Sequence, residues 1–211
     1  GLPVPSGFVI KSAALDKFMR HNKIANKIIS LIGESRSAGI QKIQEISEQI
    51  RNMIMNGIMP DFIDRDIKDE YQDLSIGREA KEIGGAALDL IRAGRDNVFV
   101  SIRPSPLSPL PSAHFSGQMK SIISVRGYQQ ITDAIKEVWA SLFSVRAMLY
   151  RKRKRIEDVP SMAVIIQKSI EPEKAGFVYT SVPETRDQSK IVVEGSWGFS
   201  DSVISGAVTP D

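Results

Sequence analysis

Cysteine does not occur anywhere in this sequence of 211 residues. Its absence excludes a disulfide-stapled secreted scaffold, a thiolate zinc site and a cysteine nucleophile. Histidine is nearly as scarce. His21 and His114 are the two present, far apart and in neither an i, i+4 nor a His-x-His spacing, so they suggest no metal centre and no Ser-His-Asp arrangement. No apolar run approaches the roughly 18 residues of a membrane span, and no signal peptide is visible. Nor does one sign of charge dominate. Lys plus Arg number 28 and Asp plus Glu 25, a net of +3, which is too even a balance to make nucleic acid the expected partner. A Walker motif, a dinucleotide fingerprint, an internal repeat and a low-complexity tail are also missing.

What is present is ordinary globular material. Hydrophobic residues make up 42% and charged residues 25%, so the chain can bury a sizeable core and is not a disordered one. A Pro-punctuated opening leads into a short strand ending at Ile10, and Ser12 is placed to cap a helix running to about Arg20. From Lys23 to about Met59 the periodicity is helical: Ile24, Ile28, Ile29 and Ile32 form one run, and after Gly33 comes a second with Ile40, Ile43, Ile46, Ile50 and Ile54. Pro60-Asp61 reads as a break and restart. A further helix is predicted from Arg78 to Ala93, weakened by Gly84-Gly85.

The second half differs. Asn97 to Arg103 alternates like a strand and runs into Pro104–Ser112, a stretch too rich in proline for a helix or a central strand. Ile131 to Tyr150 reads as one amphipathic helix. Met162–Gln167 and Ala175–Thr180 read as a strand pair across a charged turn, with Lys190–Glu194 as another strand. Helices and strands mix without βαβ alternation, which predicts an α+β fold. The division expected is a mainly helical subdomain over 1–96, with a short leading strand, and an α+β subdomain over 97–211, incomplete at both ends.

Three places carry possible chemistry. Arg103 ends a strand, where a guanidinium can hold a phosphate bidentately, although such an Arg is commonly just a surface residue. The small-residue turn within His114-Phe-Ser-Gly-Gln118 can aim backbone N–H groups at an anion, but most Ser-Gly sequences are merely turns. Arg151-Lys-Arg-Lys-Arg155 offers a nucleic-acid patch or a localisation signal. We read it as a solvated helix C-terminus, where cations complement the macrodipole.

Several segments together resemble the nucleotide-binding domain of phosphoenolpyruvate synthase and pyruvate phosphate dikinase. Gly1-Leu-Pro-Val-Pro-Ser-Gly-Phe-Val-Ile10 is similar to that family's GLxVPPGFxI opening. Ser101-Ile-Arg103 with Leu110-Pro-Ser-Ala-His-Phe-Ser-Gly-Gln118 resembles VRSSATAEDLPDASFAGQ. Trp139-Ala-Ser-Leu-Phe-Ser-Val-Arg-Ala-Met-Leu-Tyr-Arg151 resembles WASLFSxRAxxYR. Ala163–Gln167 matches VxVQ, Ala175–Thr180 matches SGVxFT, and Gly195–Asp211 resembles AxWGLGExVVSGxVxPD. These matches are collinear and run end to end, except over roughly Ile24 to Asn97.

The resemblance implies an ATP-grasp-like nucleotide-binding domain that binds ATP with magnesium. In the family, ATP phosphorylates a histidine on a separate swivelling domain, and the histidine passes the phosphoryl group to pyruvate or another acceptor. Carried over residue by residue, Arg103 matches the phosphate-contacting arginine, to which we assign both a catalytic and a binding role. Ser116, Gly117 and Gln118 match the loop that closes over the phosphates. Gln167, Lys168 and Ile170 occupy the hinge strand against which adenine packs, and Asp201 stands where GLGE has its glutamate. The implied partner is a phosphohistidine domain on the same or another chain. The implied location is the cytoplasm, without a membrane, and nothing in the sequence specifies an oligomeric state.

Departures matter as much. Pro104-Ser-Pro-Leu-Ser-Pro109 replaces Ser-Ser-Ala-Thr-Ala-Glu-Asp and brings no acid. The family's upstream lysine would precede Gly1, and its magnesium ligands would follow Asp211. The expectation is therefore a piece of a larger phosphotransferase, inactive by itself. The alternative is a degenerate, non-catalytic nucleotide-binding or regulatory module of the same fold.

Overall fold

The structure, a computed structural model, describes residues 3–76, 98–107, 115, 117–199, 203, 206–207 and 209. The predicted helix over 78–93 and the subdomain boundary at 96–97 lie outside the described residues. Contacts divide the chain into two compact units, Gly1–Ser169 and Ile170–Asp211.

The first unit contains strand β1 (Gly7–Ile10) and helices α1 (Ala13–His21), α2 (Ala25–Ser35), α3 (Ile40–Met55) and α4 (Asp61–Ile76). It continues with β2 (Val100–Pro106), β3 (Ile122–Val125), α5 (Tyr128–Ser141), α6 (Val145–Lys154) and β4 (Met162–Lys168). Each helix exists because one stripe is apolar. Along α3, Ile43, Ile46, Ile50 and Ile54 recur at helical spacing and are all buried. The break between α2 and α3 falls at residues 36–39 rather than at Gly33, which lies within α2. A single glycine weakens a helix by about 1 kcal/mol without ending it.

The predicted helix over 131–150 is two helices. Ser144, with extended backbone, accepts a hydrogen bond from the Ala147 N–H at 3.2 Å and so caps α6. Apolar periodicity hid the break, because Leu142 and Phe143 in the connection are as buried as the helices beside them.

The strands of this unit form one sheet in the order β1-β4-β2-β3, with every pair antiparallel. Its helix-facing side holds Phe8 and Ile10, Val100 and Ile102, Val125, and Met162, Val164 and Ile166, all packed with Phe18 and Trp139 into one core. The expectation that the Pro-rich stretch could not belong to a central strand is corrected at its start, since β2 includes Pro104 and Pro106. The Leu107 N–H donates to the Ser161 carbonyl at 2.9 Å, so odd-numbered residues of β2 turn their N–H toward β4. The missing N–H of each even-numbered proline would face the other side, where pairing with β3 has already ended at Ile102.

The expected pairing of 162–167 with 175–180 does not occur. β4 lies between β1 and β2, while β5 (Lys174–Tyr179) pairs with β6 (Val192–Trp197) in a separate two-stranded sheet of the second unit. Both segments are strands, as their composition predicts, but alternation carries no information about the partner. The architecture is thus a mixed α+β one. Among the described residues, no helix is long and apolar enough to cross a membrane.

Candidate functional site

The side of the four-stranded sheet turned away from the helical core carries Arg103 and Gln167, two of the residues expected to be functional. Register places Gly7, Gln167 and Ser101 in one row across β1, β4 and β2, and Val9, Ile165 and Arg103 in the next. Arg103 is exposed, and Val9 is 57% exposed, so this row presents a guanidinium beside two aliphatic side chains. Such a combination suits a ligand with an anionic part and a flat apolar part.

Backbone and side-chain bonds hold this surface rigid. A Cβ at Gly7 would lie 2.4 Å from the Ile166 carbonyl oxygen and 2.9 Å from the Gln167 Cα, so glycine alone permits β1 to approach β4 this closely. The Gln167 Nε2 donates to the Pro5 carbonyl at 3.2 Å, and the Lys168 N–H donates to the Ser6 carbonyl at 2.9 Å. Together they tie the segment leading into β1 to the end of β4. The Ser169 N–H donates to the Phe99 carbonyl at 2.8 Å, and the Ser169 and Ser101 hydroxyls lie 3.0 Å apart. Behind the sheet, buried Tyr71 of α4 donates to the Val98 carbonyl at 2.8 Å and accepts from the Gly127 N–H at 3.0 Å. Burial raises the pKa of its hydroxyl. Its two hydrogen bonds fix the approach to β2.

Gly117 and Gln118 are elsewhere, on a turn against the ends of α5 and α6. Gly117 has φ +69°, in the left-handed region, and its carbonyl accepts from Arg146 Nη1 at 3.1 Å. The Gln118 N–H closes the turn onto the Phe115 carbonyl at 3.1 Å. These residues line a cleft of about 480 Å³ with Ser47, Arg51, Glu137 and Arg146.

The sheet thus places Arg103 and Gln167 on its open side, with Lys168 at the end of β4 opposite Val100, and the turn carries Gly117 and Gln118. Ile170 opens the second unit and is 60% exposed. Ser116 and Asp201 lie outside the described residues. The basic run is only partly the solvated helix end expected. Lys152–Lys154 are exposed, but Arg151 is buried and donates to the Asp158 carbonyl, which secures the loop after α6. Sequence reasoning missed Ser101, Val9, Ile165 and Ser169. Ser101 and Ile165 were in principle accessible, as each stands two residues from a predicted site residue on the same strand and so shares its face.

Compared with known proteins, the entire chain, residues 1–211, matches the model of the pyruvate phosphate dikinase AMP/ATP-binding domain. The chain belongs to that family.

Relatives include a probable phosphoenolpyruvate synthase of Methanothermobacter thermautotrophicus, 33% identical over 213 residues, covering 100% of this chain and 29% of that protein. The phosphoenolpyruvate synthase of Aeropyrum pernix is 32% identical, with 100% of this chain and 24% of that protein covered. That of Pyrococcus furiosus is 29% identical over 245 residues, covering 100% and 28%. The chain therefore spans less than a third of the length of the curated relatives it matches. Among the described residues, no three carboxylate or imidazole groups come together as a metal would require.

Proposed function

We propose that ATP binds on the open side of the four-stranded sheet, in an ATP-grasp arrangement, as the nucleotide-binding step of a larger cytoplasmic phosphotransferase. Arg103 holds the phosphates, the turn of Ser116, Gly117 and Gln118 closes over them, and the adenine packs near Gln167, Lys168 and Ile170. The resemblance alone assigns Asp201 to nucleotide binding. The whole protein then resembles phosphoenolpyruvate synthase in its chemistry: ATP phosphorylates a histidine of a separate domain, which hands the group to pyruvate or a related acceptor. This chain's contribution is positioning and charge neutralisation, which carry most of the work in phosphoryl transfer. Magnesium would shield the phosphate charge. Among the described residues, no group of three or more carboxylates or imidazoles is placed to hold it.

The observation that carries this reading is the row Val9–Ile165–Arg103, which sets a cation beside an apolar strip on a braced sheet. Calorimetric titration of the full-length protein with a non-hydrolysable ATP analogue tests it. Arg103→Ala is expected to weaken binding about 10- to 100-fold through loss of charge-assisted bonds to phosphate. Its melting temperature should not change, because the side chain is exposed. Absence of nucleotide binding, or equal binding by the variant, refutes the reading. Phosphorylation of a histidine in the full-length protein separates an active phosphotransferase from the degenerate module.

A further inference from the structure

Along the open side of β2 the chemistry changes in steps. Val98, Val100 and Ile102 pack into the helical core, so Phe99, Ser101 and Arg103 turn the other way. Phe8, the one aromatic residue within the four strands, also packs with the core, which leaves Phe99 as the ring beside this surface. It is 38% exposed. At about 3.3 Å per residue, the four steps to Arg103 span roughly 13 Å. Between them the Ser101 hydroxyl lies 3.0 Å from that of Ser169, whose N–H donates to the Phe99 carbonyl at 2.8 Å. A ring, a pair of hydroxyls and a guanidinium therefore follow one another along one face of one strand.

Arg126 holds the ring in place, with its guanidinium carbon 5.2 Å from the Phe99 centroid. That placement needs an irregularity in β3. Val100 faces Val125 and Ile102 faces Ile122, so β3 contains one residue more than β2 over the same stretch. Ser124 takes up the excess with φ +56°, in the left-handed region. Without the extra residue Arg126 would stand opposite Val98 and turn toward the core. A strained residue thus brings a second cation to the open side, against an aromatic ring that the core does not use.

We propose that Phe99 is the stacking surface for the nucleotide's base, with the nucleotide lying along β2: base at Phe99, sugar at Ser101 and Ser169, phosphates at Arg103. This rests on the nucleotide-site reading above and deepens it. The order of ring, hydroxyls and cation along the strand is the order of base, sugar and phosphates along a nucleotide. An aromatic face takes up the flat π-system of a base, and Arg126 keeps that face set before the ligand arrives.

The test measures binding of a non-hydrolysable ATP analogue to the full-length protein by calorimetry, together with the melting temperature without nucleotide. Phe99→Ala is expected to weaken the analogue about tenfold, the scale of one base stacked on an aromatic ring. The unliganded melting temperature should not change, because the ring lies outside the core. Phe99→Tyr keeps the ring and should bind within about twofold of the unaltered protein. Phe99→Leu, of similar bulk but without a π-face, should recover less than half of the loss. Full recovery by leucine, or none by tyrosine, would mean that stacking is not the contact. A melting temperature that falls with the affinity would mean a structural role, and each of these outcomes overturns the proposal. If Phe99→Ala binds as the unaltered protein does, the proposal also fails while the site reading stands. If the unaltered protein binds no nucleotide, the site reading itself falls and takes this one with it.

Discussion

The two units solve the problem of apolar surface in opposite ways. In the first, the sheet has one side sealed by helices: Val100, Ile102, Val164 and Ile166 are 0% exposed and pack with Trp139 and Phe18, whose rings stand 5.2 Å apart. In the second, β5 and β6 pair along their full length, yet Val178, Val193 and Trp197 are 65%, 66% and 72% exposed. Both carry β-branched and aromatic residues in alternation. The difference lies in whether the described residues supply another layer, since a two-stranded ribbon has too little buried surface to be stable alone. Strand propensity therefore reports readiness to be half-buried and says nothing about whether burial happens.

The protein has two tryptophans, one in each unit, which makes the contrast measurable. The largest expected effect is Trp139→Ala. Removing a side chain with no exposure from the centre of the core should cost about 3–5 kcal/mol, seen as a lower urea midpoint by circular dichroism. A loss below about 1 kcal/mol would mean that the core is not organised around this ring.

A smaller effect separates the units by pH. Burial first, and then a hydrogen bond with the Asp64 carboxylate, push the Tyr128 hydroxyl from 10.0 up to about 12. The folded state favours the neutral phenol, so its contribution is complete below pH 10 and disappears as pH rises through about 12. Urea midpoints should fall more steeply over that interval for the unaltered protein than for Tyr128→Phe. Parallel curves would show that this tyrosine does not drive the alkaline loss.

The smallest effect belongs to the ribbon. Trp197→Ala removes an exposed ring whose described contact is Lys174 Nζ at 4.3 Å, and should change stability by at most about 1 kcal/mol. In the unaltered protein Trp197 should also be quenched by acrylamide far more readily than Trp139. Comparable quenching would show that the ribbon is covered in solution, and the contrast between the units would disappear.

Much of the helical scaffold was legible because helix burial repeats every 3.6 residues and leaves its mark within a dozen positions. The isoleucines of α3 and the restart at Pro60-Asp61 were read directly. Errors arose where a local pattern served two structures equally well. Leu142 and Phe143 stay apolar whether the chain continues as one helix or turns at Ser144, and a proline-bearing segment can still be strand if its missing N–H faces an unpaired edge. The candidate residues divide in the same way. Motifs single out Arg103, the Gly117 turn and Gln167, whereas nothing local marks Arg146 as gripping a carbonyl 29 residues away.

By itself the sequence determined the α+β class, the helical stripes and the family, since each depends on residue identity over short spans. Only the tertiary structure decided that β4 lies between β1 and β2, that Val9, Ile165 and Arg103 stand in one row, and that the second unit keeps its own sheet. Register and partner choice come from contacts between residues distant in sequence, such as Gly7 and Gln167. Alternation with a period of two fixes which side chains share a face, but a strand carries no local record of its neighbour.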